Sequence, residues 1–377
     1  MNIAIVCYPT FGGSGVVATE LAKGLAEQGH HLHIVSYARP ARLDHVQSSI
    51  VYHEVDLSTY PLFEFPPYDL ALANMLATLI EYEKLDLIHV HYAIPHATSA
   101  YLAKQILGEK AAKVPVITTL HGTDITLVGS DPSYKKVVDF SINQSDGVTA
   151  VSEYLRQETY DRFDIRNEIE VIPNFVDLER FKPGENEEFR KEFAPNGEFI
   201  LSHVSNFREV KRVGNVVEVF ARILEDGVAA KLLMVGDGPE RIKAQQRCRD
   251  LKICEHVSFL GKQDNVEELL AISDLFYIPS GSETFGLAAL EAMSCGVPVI
   301  SSNVGGLPEV NLEGVTGYLS ELDDIEGMTQ GSLELLRDPS KMREFSTNAR
   351  ARAEQFEKQR IVSLYEAYYD KACAKLS

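Results

Sequence analysis

The first half of the chain alternates short apolar runs with longer stretches whose apolar residues recur at helical spacing. NIAIVCY, HLHIVSY, DLIHVHY, VPVITTLHG, DGVTAVS and IEVIPN predict strands, and VVATELAKGLAEQG and ALANMLATLIEYEK predict helices between them. The first of these helices stops at Gly29, a residue suited to end one. Alternation of this kind specifies a parallel sheet covered by helices. The rhythm then restarts with FILSHVSN, KLLMVGDG, VSFLG, DLFYIPS, VPVISS and GYLS. Between the two sets lies NFVDLERFKPGENEEFRKEFAPNGE, rich in Pro, Gly and charge, which reads as a linker and domain entry. The last stretch, AEQFEKQRIVSLYEAYYDKACAKLS, predicts a long amphipathic helix. The pattern therefore predicts an α/β protein of two Rossmann-like, doubly wound domains, 1–170 and 171–354, facing a cleft. Ligands of such sheets bind beyond the carboxyl ends of the strands, and the motifs belong there.

Length and composition agree with this division. A chain of 377 residues is too long for one ordinary core, and 45% hydrophobic with 24% charged residues is a globular balance. Thirty-six basic against 55 acidic side chains leave a net charge of −19, which argues against binding nucleic acid or an anionic membrane. In so acidic a chain the basic knot NFREVKR, Asn206 to Arg212, gains weight. The cysteines, Cys7, Cys248, Cys254, Cys295 and Cys373, show no CxxC spacing and read as structural thiols of a reducing cytoplasm. The N-terminus lacks the basic region and cleavage site of a signal peptide. No apolar run approaches the roughly 20 residues of a membrane span. A cytoplasmic protein is expected, and a homo-oligomer is left open.

The first strand runs into YPTFGGSGVVATELA, where Gly12, Gly13 and Gly15 allow a sharp turn and close approach of a ligand. The amides of the following helix suit an anion. Gly13 to Ala18 also fits the dinucleotide pattern G-x-G-x-x-A, but the second strand ends in SYARPAR, with Arg39 and no acid. NAD loses its ribose partner there, and only an NADP-dependent oxidoreductase survives as a rival. His89 and His91 share one strand face without a third metal ligand at fixed spacing, so packing or hydrogen bonding is the simpler reading. His121 stands where a strand gives way to a loop, the usual place for a reactive side chain.

In the second half SNFREVKR follows a strand and opens a helix, so Arg208 and Lys211 are expected on one face, aimed at one anion. VGDGPE is a strand-end turn and reads as architecture. The run GSETFGLAALEAMSCG predicts a loop and then a helix from near Thr284 to Gly296. Glu283 then sits at the mouth of that helix and Glu291 two turns inside. The amides of Phe285, Gly286 and Leu287 point outward and attract phosphate. Phosphate with an acid on each side matches a nucleotide sugar, one carboxylate taking sugar hydroxyls and the other ribose hydroxyls. Each feature also has a plain structural explanation, from a tight turn without ligand to a solvated basic face or a buried acid paired elsewhere.

Together the glycine-rich loop, HGTD, VIPNFVD, NFREVKR, VGDGPE and the E-x7-E run ETFGLAALE resemble the GT-B glycosyltransferases of family 4, over essentially the whole chain. The resemblance implies a retaining transferase that uses a sugar nucleotide and no cofactor or bound metal, and the chain contains no D-x-D. It implies an N-terminal acceptor domain, with the C-terminal helix 355–377 packing back on it, and a C-terminal donor domain. Many members carry a Gly-Arg pair before the basic lysine; this chain has Ser205-Asn206, so the diphosphate falls to Arg208 and Lys211. YPTFGGSGVVATELAKGLAEQGH, HVHYAIPHATSAYLAKQI and TTLHGTDITLVG are most similar to members that join N-acetylglucosamine, from its UDP form, to the hydroxyl of L-malate in bacillithiol biosynthesis. On that likeness His121, Glu283, Arg208 and Lys211 are the catalytic group, and Gly13, Phe285, Gly286, Leu287 and Glu291 complete the donor site. Ser14, Tyr92, Thr119 and Asn174 are the acceptor candidates, with Arg208, Lys135, Lys136 or Arg156 as the cation for malate. No carboxylate stands out as a nucleophile, Asp124 being the nearest. A lipid or polysaccharide acceptor and a catalytically idle sugar-nucleotide-binding protein are the remaining alternatives.

Overall fold

A computed structural model describes residues 1–10, 12–43, 48–57, 64–129, 131–184 and 186–376. Contacts divide the chain into two compact units, Met1–Asn174 with Lys358–Ser377, and Phe175–Glu357.

The first unit is built on seven parallel strands: β1 Asn2–Val6, β2 His31–Ser36, β3 Ile50–Glu54, β4 Leu87–His91, β5 Val116–Leu120, β6 Gly147–Ala150 and β7 Ile169–Val171. They lie in the order β3-β2-β1-β4-β5-β6-β7. Strands β4 and β5 are buried along their whole length, as expected where helices cover both faces of a parallel sheet. Chain order reverses between β1 and β4, which places a crevice at their carboxyl ends. Strand β3 is the element that the sequence pattern missed. It forms an edge, none of its five residues is buried, and IVYHE carries too little apolar signal to stand out.

The helix Ser14–Glu27 buries Val17, Leu21 and Leu25, and Gly29 follows its end at φ 88°, the left-handed geometry that terminates helices. The C-terminal helix starts at Lys358 rather than at 355, because Val176 pairs with Glu357 in a parallel bridge and donates to the carbonyl of Phe356. An extended Glu357 cannot also be helical. The helix packs on the first unit, with Val362 against Gly24 and the Tyr368 hydroxyl donating to the carbonyl of Val148.

The second unit holds six parallel strands: β8 Phe199–Val204, β9 Ala230–Val235, β10 Val257–Gly261, β11 Leu275–Ile278, β12 Val299–Ser302 and β13 Gly317–Ser320. Their order is β10-β9-β8-β11-β12-β13, with the reversal between β8 and β11. On the helix Val213–Glu225, Val213, Val216, Val217 and Phe220 form the stripe that closes the core over this sheet. Burying each such side chain contributes about 1.5–3 kcal/mol. Among the described residues no helix is long and apolar enough to cross a membrane. All five cysteines are free, and burial pushes the thiols of Cys7, Cys248 and Cys295 up to about 12, 11 and 12, out of the reactive range.

Candidate functional site

In the second unit four loops converge on the β8–β11 reversal. The loop after β8 is shaped from below by the VGDGPE turn. A Cβ on Gly236 would lie 1.8 Å from the carbonyl oxygen of Ser205, and one on Gly238 2.1 Å from that of Asn206, so only glycine fits. The amide of Glu240 donates to Phe207 and that of Gly281 to Val210, which fastens the loop from both sides. His203 anchors its start. Its Nδ1 donates to the Tyr277 carbonyl and its Nε2 accepts from Ser205 Oγ at 2.8 Å. Burial holds this imidazole down at about 4, and the charge of Lys211 acts in the same direction.

The helix expected across SNFREVKR does not form there. A single 3-10 turn, Glu209–Lys211, is followed by Arg212 in the left-handed region at φ 49°, and the helix begins at Val213. The break turns Lys211 toward Glu283, with Nζ 2.6 Å from Oε2 and both side chains about four-fifths covered. Arg208 stays exposed and has no ion pair among the described residues.

The helix after β11 also starts later than the sequence predicts, at Leu287. Gly286 adopts φ 99°, outside any right-handed helix, and the loop before it is clamped by the turn after β12. There Gly306 donates to the Glu283 carbonyl, and a Cβ on Gly306 would lie 2.3 Å from the carbonyl oxygen of Thr284. Three corrections follow. The helix-mouth amides are those of Leu287, Ala288 and Ala289, since the amide of Leu290 is the first to reach back, to Gly286; among the described residues the main-chain amides of Phe285 and Gly286 make no hydrogen bond either. Phe285 and Gly286 precede the helix, and the Phe285 ring is buried edge-on against Phe356 at 5.7 Å. Glu291 lies one turn in, about 6 Å from the start at 1.5 Å per residue, and is 8% exposed. Sequence reasoning overlooked Gly305-Gly306 and His203. A glycine pair directly after the apolar run VPVISS, like that after β1, was the available signal for the first.

In the first unit the loop after β1 needs two glycines for different reasons. Gly13 takes φ 55° with open space around it, whereas a Cβ on Gly15 would meet the carbonyl oxygens of Tyr8 and Thr10 at 2.6 and 2.7 Å. Ser14 Oγ and the Tyr92 hydroxyl are 2.7 Å apart, and Tyr92 holds φ 92°, a strained value for a side chain of that size. The Tyr8 ring packs on Tyr92 and His96. Asn174 is buried, the last residue of this stretch of the unit.

Thr119 does not reach the site. It is fully buried below it, with Oγ1 2.7 Å from His89 Nε2 and 2.7 Å from Thr149 Oγ1. The other nitrogen of His89 meets the Tyr369 hydroxyl at 2.7 Å. His89 and His91 stack at 4.5 Å, and His91 Nδ1 lies 2.7 Å from His121 Nε2. Among the described residues no group of three or more His, Cys, Asp or Glu is arranged to hold a metal ion. Burial pushes His89 and His121 down to about 3 and His91 well below its ordinary value, so these rings are neutral. Asp124 receives the amides of Ala93 and Gly122 at 2.9 and 3.0 Å, and burial raises its carboxyl to about 6 against the pull of those bonds. Both of its oxygens serve the main chain, tying the β4 loop to the β5 loop. Of the cations considered for the acceptor, Lys135 is turned to the Arg162 carbonyl and Arg156 to Glu153. Arg39, on which a dinucleotide reading relied, donates to the carbonyl of Leu43.

A partly covered cation–carboxylate pair beside free helix amides suits a phosphorylated sugar. Similarity to known proteins points to a glycosyltransferase. Residues 11–180 match the family described as Glycosyltransferase Family 4, and residues 184–352 that described as Glycosyl transferases group 1. The N-acetyl-alpha-D-glucosaminyl L-malate synthase of Bacillus anthracis is 50% identical over 98% of this chain and 97% of its own. A D-inositol 3-phosphate glycosyltransferase of Nocardia farcinica is 28% identical over 92% of this chain and 81% of its own. The crystal structure of Anabaena HepE in complex with UDP-glucose superposes with a TM-score of 0.84 over 98% of this chain and all of that one, at 22% identity, which speaks for the fold. The chain belongs to family 4 of the glycosyltransferases, and its two parallel-sheet units are those of the GT-B fold.

Proposed function

We propose that this glycosyltransferase moves N-acetylglucosamine from UDP-N-acetylglucosamine to the hydroxyl of L-malate, the step that bacillithiol biosynthesis requires. One observation carries the reading: half of the residues are shared, across nearly the whole of both chains, with a relative named for that sugar and that acceptor. Such likeness includes both units, the proposed acceptor side and the proposed donor side alike. The net charge of −19 weighs against a lipid acceptor at an anionic surface. Five free thiols suit the cytoplasm, where we place the reaction.

In this reading Arg208 and Lys211 take the diphosphate, joined by the amides of Leu287 and Ala288. Glu283 takes the sugar hydroxyls and Glu291 the ribose. We assign Gly13 and His121 to the donor as well, and Ser14, Tyr92 and Asn174 to malate. As the bond from the anomeric carbon to the β-phosphate oxygen breaks, charge grows on the diphosphate next to Lys211, where a preorganised cation counts most. The malate oxygen bonds to the same face of that carbon, and its proton passes to the departing phosphate oxygen. Asp124, with both oxygens committed to amides, is a poor nucleophile for the double-displacement route.

The test is mass spectrometry of UDP-N-acetylglucosamine incubated with the protein and a panel of hydroxy acids. The expected outcome is UDP release with an N-acetylglucosaminyl adduct of L-malate. An adduct with another hydroxy acid and none with malate would overturn the acceptor while leaving the transferase.

A further inference from the structure

The stacked histidines of the first unit contain a direction. His91 is fully buried on β4, flanked by the rings of His89 at 4.5 Å and His121 at 5.0 Å. Its carbonyl meets His96 Nδ1 at 2.5 Å, so both its main chain and its ring are held in place. Nδ1 lies 2.7 Å from Nε2 of His121, whereas Nε2 of His91 is buried with no hydrogen-bond partner among the described residues. Two neutral imidazoles share one proton across the short contact, and only two arrangements exist. If His121 donates from Nε2, His91 must carry its own proton on Nε2, which is then a buried N–H with nothing to accept it. If His91 donates from Nδ1, its Nε2 is a bare lone pair. Buried donors left without an acceptor are rarer in proteins than under-used acceptors.

We propose that His91 is a positioning residue that donates from Nδ1 to Nε2 of His121 and so locks His121 as its Nδ1–H tautomer. The inference rests on the assignment of His121 to the donor sugar and adds what that contact is. With its Nε2 lone pair engaged, His121 has no free basic nitrogen. It meets the sugar through an N–H, as a hydrogen-bond donor, and takes no proton from the acceptor. His89, tied to Tyr369 and Thr119, backs the stack from the other side, so the C-terminal helix supports the ring that reaches substrate.

Two measurements test this. In the free protein labelled with nitrogen-15 histidine, and with the His121 signals assigned by difference from His121→Asn, Nε2 of His121 is expected at the position of an unprotonated nitrogen and Nδ1 at that of a protonated one. A protonated Nε2 overturns the proposal whatever the variants do. In turnover, His91→Asn keeps an amide N–H near the place of Nδ1 and is expected within about 3-fold of wild type. His91→Gln reaches toward the Nε2 position instead, and it and His91→Leu are expected to lose about 10- to 100-fold in kcat, with KM for the donor nearly unchanged. Equal losses in Asn, Gln and Leu variants that fold would reduce His91 to packing and refute the proposal. Wild-type turnover by His121→Ala would instead remove the reading on which it rests, and the spectrum still decides the tautomer.

Discussion

Lys211 and Glu283 meet at the carboxyl ends of β8 and β11, with 2.6 Å between Nζ and Oε2. Seventy-two residues separate them in the chain, and two adjacent parallel strands bring them together. An exposed pair of this kind is worth little, but this one is largely covered and next to open helix amides. In the proposed donor site, a diphosphate arriving there would compete for Lys211 and release Glu283 toward the sugar.

Lys211→Ala is accordingly expected to lower kcat by about 10²- to 10³-fold, the effect of removing one preorganised charge-stabilising donor. Glu283→Ala is expected to lower kcat/KM for the donor by at least about 10-fold, two or more hydroxyl contacts being lost. Steady-state kinetics on variants with unchanged circular dichroism decides. Undiminished turnover in either would remove that residue from the machinery.

In the proposed reading Glu291 acts in binding alone. Glu291→Gln keeps the size of this buried side chain and removes its charge. UDP affinity, measured by titration calorimetry, is expected to fall about 10- to 100-fold, in line with the roughly 1.5–3 kcal/mol of hydrogen bonds to a charged group. Unaltered UDP affinity would separate Glu291 from the ribose.

Three glycines predict a graded series. An alanine at Gly238 meets the backbone oxygen of Asn206 at 2.1 Å and must displace main chain. At Gly286 it combines φ 99° with the flexible Leu307 side chain at 2.7 Å, and at Gly13 it has φ 55° but free space. Left-handed strain alone costs about 1–3 kcal/mol. The thermal midpoint of the second unit is expected to drop most for Gly238→Ala and less for Gly286→Ala, at about 2–4 °C per kcal/mol. Gly13→Ala is expected to disturb the first unit least. A reversed ranking would contradict the packing described.

Acid should loosen the first unit. His89, His96 and His121 are held at about 3, 4 and 3 when folded, and His91 lower still, against about 6.5 when unfolded. Below pH 6.5 the unfolded chain binds protons that the folded unit refuses, so stability falls with pH by about 1.4 kcal/mol per pH unit for each such proton. Asp124 works the other way. Its carboxyl, raised to about 6, takes up a proton in the folded unit first and offsets one histidine between about pH 6 and 4. Hydrogen exchange of the β4 and β5 amides should therefore show protection falling between pH 7 and 5, after correction for intrinsic rates. Protection that holds constant would mean that these rings accept protons in place.

The strands were legible because parallel strands buried on both faces leave near-continuous apolar runs, as in LIHVH and VITTL. Edge strand β3 lacked that signature. The acids and the basic pair were legible because charge amid apolar residues is costly without a partner. Their backbone was less so: Arg212 at φ 49° and Gly286 at φ 99° moved two helix starts by several residues. Glycine permits a positive φ without requiring it, and arginine gives no hint of one. The role suggested for Thr119 failed for a related reason, since alternation along β5 cannot say which hydroxyls are consumed beneath a site.

By itself, the sequence determined the two repeated α/β units, the strands at whose ends chemistry is placed, and the kinds of groups found there, because burial and backbone hydrogen bonding act at fixed periods of two and 3.6 residues. Only the tertiary structure decided which of those groups touch: Lys211 with Glu283, His91 with His121, Tyr369 with His89. Those contacts join residues 30 to 280 positions apart, and they depend on strand order, which no local period encodes.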